Sequence, residues 1–116
     1  MENLIEKTKE RSTAFQGCLL RLDVDTVTLP DGKEATREYI RHPGGVGVVA
    51  LTDQNEVLLV RQYRYPYSEV LTEIPAGKRD PGEEPLVTGM RELEEETGYR
   101  AATYTPLGTM YPTPGC

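Results

Sequence analysis

One stretch of this 116-residue chain is suited to an α-helix, and the sequence marks both of its ends. Pro85 fits the first helical turn, where its missing N–H is no loss, and Gly98 stands where a left-handed C-terminal residue is wanted. Between them Leu86, Met90 and Leu93 recur at helical spacing. At about 100° per residue, Glu92, Glu95 and Glu96 fall within an arc of roughly 100°, with the three apolar residues on the far side. Carboxylates at three- and four-residue spacing repel, at on the order of 0.2–0.5 kcal/mol per pair, and the helix macrodipole opposes them near the C-terminus. Most such faces are solvated surface. The alternative is a hard divalent cation, because Mg²⁺ prefers oxygen ligands and commonly joins one or two carboxylates to a substrate's phosphates.

The rest of the chain reads as strands. From Leu20 to Val27 the residues nearly alternate, with Leu20, Leu22 and Val24 expected on the core side and Arg21, Asp23 and Asp25 on the solvent side. Glu34 to Arg41 alternates again, and Pro30-Asp31-Gly32 joins the two runs as a hairpin. After the break at Pro43-Gly44-Gly45, Val46–Leu51 and Val57–Tyr63 predict a second and more deeply buried hairpin, the core of a sheet. Val70–Ile74 predicts one more short strand, residues 75–84 a polar loop, and Tyr99–Tyr111 a last strand.

Composition narrows the function classes. The formal net charge is -6 and the basic residues are scattered, which argues against a partner with a polyphosphate backbone. An acidic protein acting on acidic small molecules needs a cation to bridge the like charges. With 37% apolar residues, no Trp and one Phe, the core is expected to be thin. Residues 1–13 mix Glu with Lys and Arg and do not resemble a signal peptide, and no stretch has the length to span a bilayer. Cys18, Cys116 and the single His42 suggest neither a disulfide framework nor a zinc site, and a reducing cytoplasm fits best. The two cysteines are expected to be small buried or terminal side chains, and His42 to be structural or at the surface.

A larger pattern encloses the helix. Gly77, five residues, Glu83, seven residues, Arg91-Glu92-Leu93, one residue, Glu95-Glu96, one residue and Gly98-Tyr99 make nine specified positions over 23 residues. This resembles the signature of the Nudix hydrolase family at every fixed position. The resemblance implies an α/β fold, an α/β/α sandwich with a mixed sheet, built as one domain over residues 1–116, with N-terminal strands in 1–42 and the loop–helix–loop box in 77–99. It also implies Mg²⁺ as the cofactor, with Mn²⁺ as a substitute. Glu92 and Glu96 are the implied direct ligands, Glu95 a further ligand or the base that activates water, and Glu83 a ligand from the loop. Arg91 is expected to orient the carboxylates, Gly77 to allow a tight turn, and the carbonyl of Ala76 to join the metal set.

Four further segments resemble the ADP-ribose pyrophosphatase branch of that family: Arg41-His42-Pro43-Gly44-Gly45-Val46, Val60-Arg61-Gln62-Tyr63-Arg64, Glu73-Ile74-Pro75-Ala76-Gly77 and Thr113-Pro114-Gly115. The expected reaction is Mg²⁺-dependent hydrolysis of ADP-ribose to AMP and ribose 5-phosphate. Arg64 is expected at the diphosphate, Arg37 or Tyr39 at the nucleoside end, and Pro114 as the marker of the branch. The alternatives are a silent Nudix-fold module that binds a nucleotide or a protein, and a Nudix pyrophosphatase with another nucleotide substrate. Relatives of this branch form dimers through N-terminal strands, which makes a homodimer the expected assembly. Two departures stand out. Gly89 occupies a position where most relatives have Ala, which should cost the helix about 1 kcal/mol. The sequence also stops at Cys116, where the branch continues through further strands, a terminal helix and a loop with another catalytic acid. Marginal stability or assembly, and doubt over catalysis, are the corresponding expectations.

Overall fold

The computed structural model describes residues 3–116. They divide into two compact units, one made of the chain up to His42 together with Thr109–Cys116, the other of Pro43–Gly108.

In the first unit, β1 (Lys7–Glu10), β2 (Thr13–Gln16), β3 (Arg21–Thr28) and β4 (Glu34–Arg41) form one antiparallel sheet. The expected hairpin is β3–β4, in register from Arg21 opposite Arg41 to Thr28 opposite Glu34. Its turn closes as Pro-Asp-Gly chemistry demands. Gly32 takes φ +87°, its N–H donates to the Leu29 carbonyl at 2.9 Å, and the Lys33 N–H donates to Asp31 Oδ1 at 2.9 Å. The other edge of β3 is shared, with β1 against Thr26–Thr28 and β2 against Arg21–Asp23.

The alternation in β3 is present, but its phase is opposite to the expected one. Asp23 and Asp25 are buried along with Val27, while Leu22 and Val24 are only half-buried. Burial of the aspartates is tolerated because each is supplied with donors. Asp23 accepts from Thr13 Oγ1 at 2.9 Å, Arg21 Nε at 2.8 Å and Arg41 Nε at 2.6 Å. Asp25 accepts from the Tyr39 hydroxyl at 2.8 Å and the Ser12 N–H at 3.3 Å. Hydropathy alone ranks Leu above Asp for the interior; five donors, three of them on the neighbouring strands, reverse the order.

The second unit holds β5 (Gly45–Gly47), β6 (Val60–Arg64), a 3₁₀ turn (Tyr65–Tyr67), β7 (Glu69–Glu73), β8 (Ala76–Lys78) and α1 (Pro85–Thr97). The ladders are β5–β8 and β6–β7, both antiparallel. The α/β class therefore stands, although every named ladder among the described residues is antiparallel. The expected second hairpin shrinks to one bridge, Leu51 with Val57, and two flanking bonds, because each of its arms has another partner. Gly45–Gly47 pairs with Ala76–Lys78, a strand where the sequence predicts loop, and Val60–Arg64 pairs with β7, the short strand expected before that loop. Nor is that hairpin deeply buried: Val49, Leu51, Val57 and Leu59 are exposed. Residues 99–111 form no ladder. Pro106 cannot donate to one, and Gly108 at φ +135° breaks the extended run.

The helix has its expected borders, with Gly98 as a left-handed cap at φ 75° whose N–H donates to the Glu94 carbonyl. Its buried stripe is not the expected one. Thr88, Gly89 and Leu93 face inward, whereas Leu86 and Met90 are about half exposed. Gly89 explains the rotation, since a Cβ there would stand 3.3–3.4 Å from the side chains of Val48 and Val46. The missing methyl lets the helix approach the strand segment closely. The buried apolar side chains among the described residues are few, Val27, Ala50, Leu93 and Pro75, so the core is as thin as the composition implies.

Candidate functional site

The carboxylates of α1 are arranged by what lies opposite them, the short strand β8. Gly77 in β8 faces Glu92 so closely that a Cβ at that position would fall on the Glu92 carboxylate. Only glycine leaves the notch open. One turn later, Glu96 Oε2 accepts from the Ala76 N–H at 3.4 Å. Glu92 and Glu96 thus lie against consecutive backbone units of one strand, each half-buried.

Arg91 occupies the centre of the remaining acids. Its Nε and Nη2 form a fork on Glu83, at 3.0 Å to Oε2 and 2.9 Å to Oε1. Nη1 donates to Glu92 Oε1 at 2.9 Å and to Glu95 Oε2 at 3.3 Å, while Nη2 also reaches the Lys78 carbonyl at 3.2 Å. A planar five-donor group can hold three carboxylates in fixed directions, which an ammonium cannot do. The hydrogen bond to Glu83, aided by the charges of Asp80 and Glu83, keeps the guanidinium pKa above its ordinary value despite partial desolvation.

Glu83 is held from the loop side as well. Thr88 Oγ1 and the Asp80 N–H donate to its Oε1 at 2.7 and 3.1 Å, and Arg79 closes the loop with two bonds to the Glu83 carbonyl at 3.0 and 2.7 Å. The Arg91, Thr88 and Asp80 donors lower the Glu83 pKa to about 2, against an ordinary 4.5. Glu95 is the most open of the four box acids, with its side chain 57% exposed. Glu94 points elsewhere and pairs with Arg100 at 2.8 Å.

Arg64 leaves β6 in the same unit and forms a bidentate pair with Glu73 across the β6–β7 ladder, at 2.7 and 2.6 Å. That pairing raises its pKa, and the charge of Glu96 adds to the effect. Arg37, Tyr39 and Pro114 belong to the other unit. Arg37 there makes a bidentate pair with Glu6, at 2.8 and 2.7 Å. The Tyr39 hydroxyl donates to Asp25 and accepts from Arg41, whose guanidinium lies 5.4 Å from the Tyr39 ring centroid. Pro114 is exposed.

The donor set suits a hard divalent cation: carboxylates of Glu92 and Glu96 beside the Ala76–Gly77 backbone, with Glu95 open to solvent. Among the described residues, however, no three acidic, His or Cys side chains are gathered tightly enough to hold an ion. The Arg91 fork instead meets Glu83, Glu92 and Glu95 each on a hydrogen bond of its own. Sequence reasoning missed Thr88 and Arg79. Both lie at unspecified positions of the signature, and their roles come from loop geometry. Cys18 and Cys116 are free and exposed, so Cys18 is not the buried side chain expected. No helix of the described residues is long and apolar enough to cross a membrane, an observation that does not bear on β-barrels.

Residues 41–116 match the family model described as NUDIX domain. The chain is 46% identical over 115 residues to an ADP-ribose pyrophosphatase of Bacillus subtilis, covering 99% of this chain and 62% of that protein. It is also 46% identical over 110 residues to a methanol dehydrogenase activator of Bacillus methanolicus, covering 95% and 60%. With an ADP-ribose pyrophosphatase of Mycobacterium tuberculosis the identity is 39% over 110 residues, covering 94% and 53%. The chain thus spans a little over half the length of these relatives. A crystal structure of an ADP compounds hydrolase shares the fold, with a TM-score of 0.81 at 24% identity over 97% of this chain and 63% of that one.

Proposed function

The chain belongs to the NUDIX domain family, and on that premise we propose that it hydrolyses the pyrophosphate bond of a nucleoside diphosphate linked to a sugar, with ADP-ribose as the substrate and AMP and ribose 5-phosphate as products. The observation that carries this reading is the Arg91 fork, which holds Glu83, Glu92 and Glu95 in fixed directions beside the Gly77 notch.

Divalent metals are general to the family, and Mg²⁺, with Mn²⁺ as a substitute, is the ion proposed here. Glu92 and Glu96 would hold it, with the Ala76 carbonyl as a further oxygen donor. Bound there, the ion would polarise a phosphoryl oxygen and favour deprotonation of water. Glu95, open to solvent, accepts the proton of the attacking water. Arg91 keeps the carboxylates from drifting into mutual contact. Arg64 exchanges Glu73 for the diphosphate. Water adds to one phosphorus, the bridging P–O bond breaks, and each product leaves as a monophosphate. No nucleophilic Ser, Cys or His is required.

A reducing cytoplasm suits the two exposed free cysteines, and a homodimer through the N-terminal strands, β1 and β2 being exposed, is the assembly proposed. A second reading, a module that acts by binding another protein, draws on the dehydrogenase activator, which is as similar to this chain as the B. subtilis pyrophosphatase. AMP release from ADP-ribose with and without Mg²⁺, with Glu96→Gln as the control, separates the two. Metal-dependent turnover lost in the variant supports the hydrolase. A folded, Mg²⁺-binding chain without turnover on ADP-ribose or other nucleoside diphosphates leaves the binding module.

A further inference from the structure

Thr88 is the one hydroxyl-bearing side chain of α1 that is wholly buried, and it stands in the first turns of the helix, a position the family signature leaves unspecified. A threonine inside a helix ordinarily returns its hydroxyl to the carbonyl four residues earlier. Here that carbonyl, of Glu84, is 3.3 Å away, whereas Glu83 Oε1 is at 2.7 Å. One hydroxyl carries one proton, and the shorter, charge-assisted bond to the carboxylate takes it. The bond joins the loop that carries Glu83 to the helix that carries Arg91, Glu92 and Glu95.

Resting on the hydrolase reading above, we propose that Thr88 is a positioning residue for the metal-binding carboxylates. Its buried hydroxyl sets the rotamer of Glu83, Glu83 sets the plane of the Arg91 fork, and the fork sets the spacing of Glu92 and Glu95. Three features of the geometry support this chain of contacts. Thr88 has no solvent exposure, so water cannot take the place of its hydroxyl. Glu83 Oε1 receives Thr88 and Arg91 Nη2 at once, at 2.7 and 2.9 Å, so a change in one bond moves the other. The backbone of Glu83 is separately pinned by Arg79 through its carbonyl, so the carboxylate is placed by its own donors, of which the Thr88 hydroxyl at 2.7 Å is the shortest, ahead of the Arg91 fork and the Asp80 N–H at 3.1 Å.

The test compares Thr88→Val, which keeps the shape and removes the donor, with Thr88→Ser, which keeps the donor. Two readouts are needed: Mn²⁺ binding followed by electron paramagnetic resonance, and hydrogen exchange of the Arg91 Nε–H followed by ¹⁵N NMR. In Thr88→Val, with a circular dichroism spectrum like that of the parent chain, Mn²⁺ affinity is expected to fall about tenfold and Arg91 Nε–H protection to be lost. In Thr88→Ser both should return to within about threefold of the parent, as expected if the hydroxyl rather than the methyl is responsible. Parent-like Arg91 protection in Thr88→Val overturns the proposal, and so does an equal loss in both variants. If the parent chain binds no Mn²⁺, the hydrolase reading fails on its own, while the exchange experiment still decides whether Thr88 positions Glu83 and Arg91. Should Thr88→Val not fold, Thr88→Ala and Thr88→Ser are compared on the same two readouts, and the same outcomes decide.

Discussion

Two clusters in this chain join carboxylates to arginine, one in each unit, and their charge balances differ. In the N-terminal sheet, Asp23 and Asp25 face Arg21, Arg41 and, at 3.8 Å, Arg11, so the acids are outnumbered and each oxygen has a donor. In the box, Glu83, Glu92 and Glu95 share Arg91, and Glu96 is met by a backbone N–H. The first cluster is complete in itself, and its role is to let a sheet bury acid. The second keeps an excess of negative charge in a fixed arrangement, which is the condition for attracting a cation. An Arg–carboxylate pair therefore indicates function only through the charge it leaves over.

The largest effect expected from this contrast is in the box. Arg91→Lys keeps the charge but loses the fork, and AMP release at saturating Mg²⁺ should fall by about 100-fold, because small misplacements of catalytic groups carry costs of that order. Gly77→Ala should produce a comparable loss by driving Glu92 out of its notch, and Mn²⁺ affinity should fall with it. A Gly77→Ala chain with parent activity would show that Glu92 does not act from that position. In the sheet the same kind of change should act on stability alone. Asp23→Ala leaves Arg21 and Arg41 facing each other without their shared partner, and the Tm should drop by on the order of 5 °C or more. Turnover per folded molecule should stay unchanged, and a loss of it would break the distinction between the clusters.

Both clusters should respond to acid. The pKa of Asp23 is lowered to about 2 from 3.8, first by the Arg41 hydrogen bond, and that of Glu83 to about 2 from 4.5, first by Arg91. A folded-state pKa below the unfolded one contributes stability that is complete above the unfolded value and lost as pH falls toward the folded value. The Tm should therefore decline between about pH 4.5 and pH 2, and Asp23→Asn should flatten the lower part of that decline. The smallest effect is expected at Gly89. Gly89→Ala gains about 1 kcal/mol of helix propensity, offset by the contact with Val46 and Val48, so its unfolding free energy should lie within about 1 kcal/mol of the parent's. A larger loss would show that close approach of helix and strand is what holds the box cluster in place.

The contrast also separates what local sequence reports from what it does not. The bounds of α1, the β3–β4 hairpin and β7 follow from turn chemistry and periodicity over a few residues, and they were legible without the fold. The phase of β3 was not, because all the donors to Asp23 and Asp25 but Arg21 come from β2, β4 and the loop before β2. The partners of β5 and β6 were not legible either, since two apolar runs flanking a turn look alike whether they pair with each other or with later strands. The stripe that α1 buries depended on Gly89 meeting Val46 and Val48, a contact between residues about 40 apart.

By itself the sequence determined the identity and spacing of the box acids, because a helix of 3.6 residues per turn places Glu92 and Glu96 one above the other wherever it sits. It also determined the thin core and the acidic charge. Tertiary structure alone decided that Gly77 would leave room for Glu92, that Thr88 and Arg79 would hold Glu83, and that two aspartates would occupy an interior face. The physical reason is that helical periodicity is a property of neighbouring residues, whereas the environment of a charge is set by whichever donors the rest of the chain brings to it.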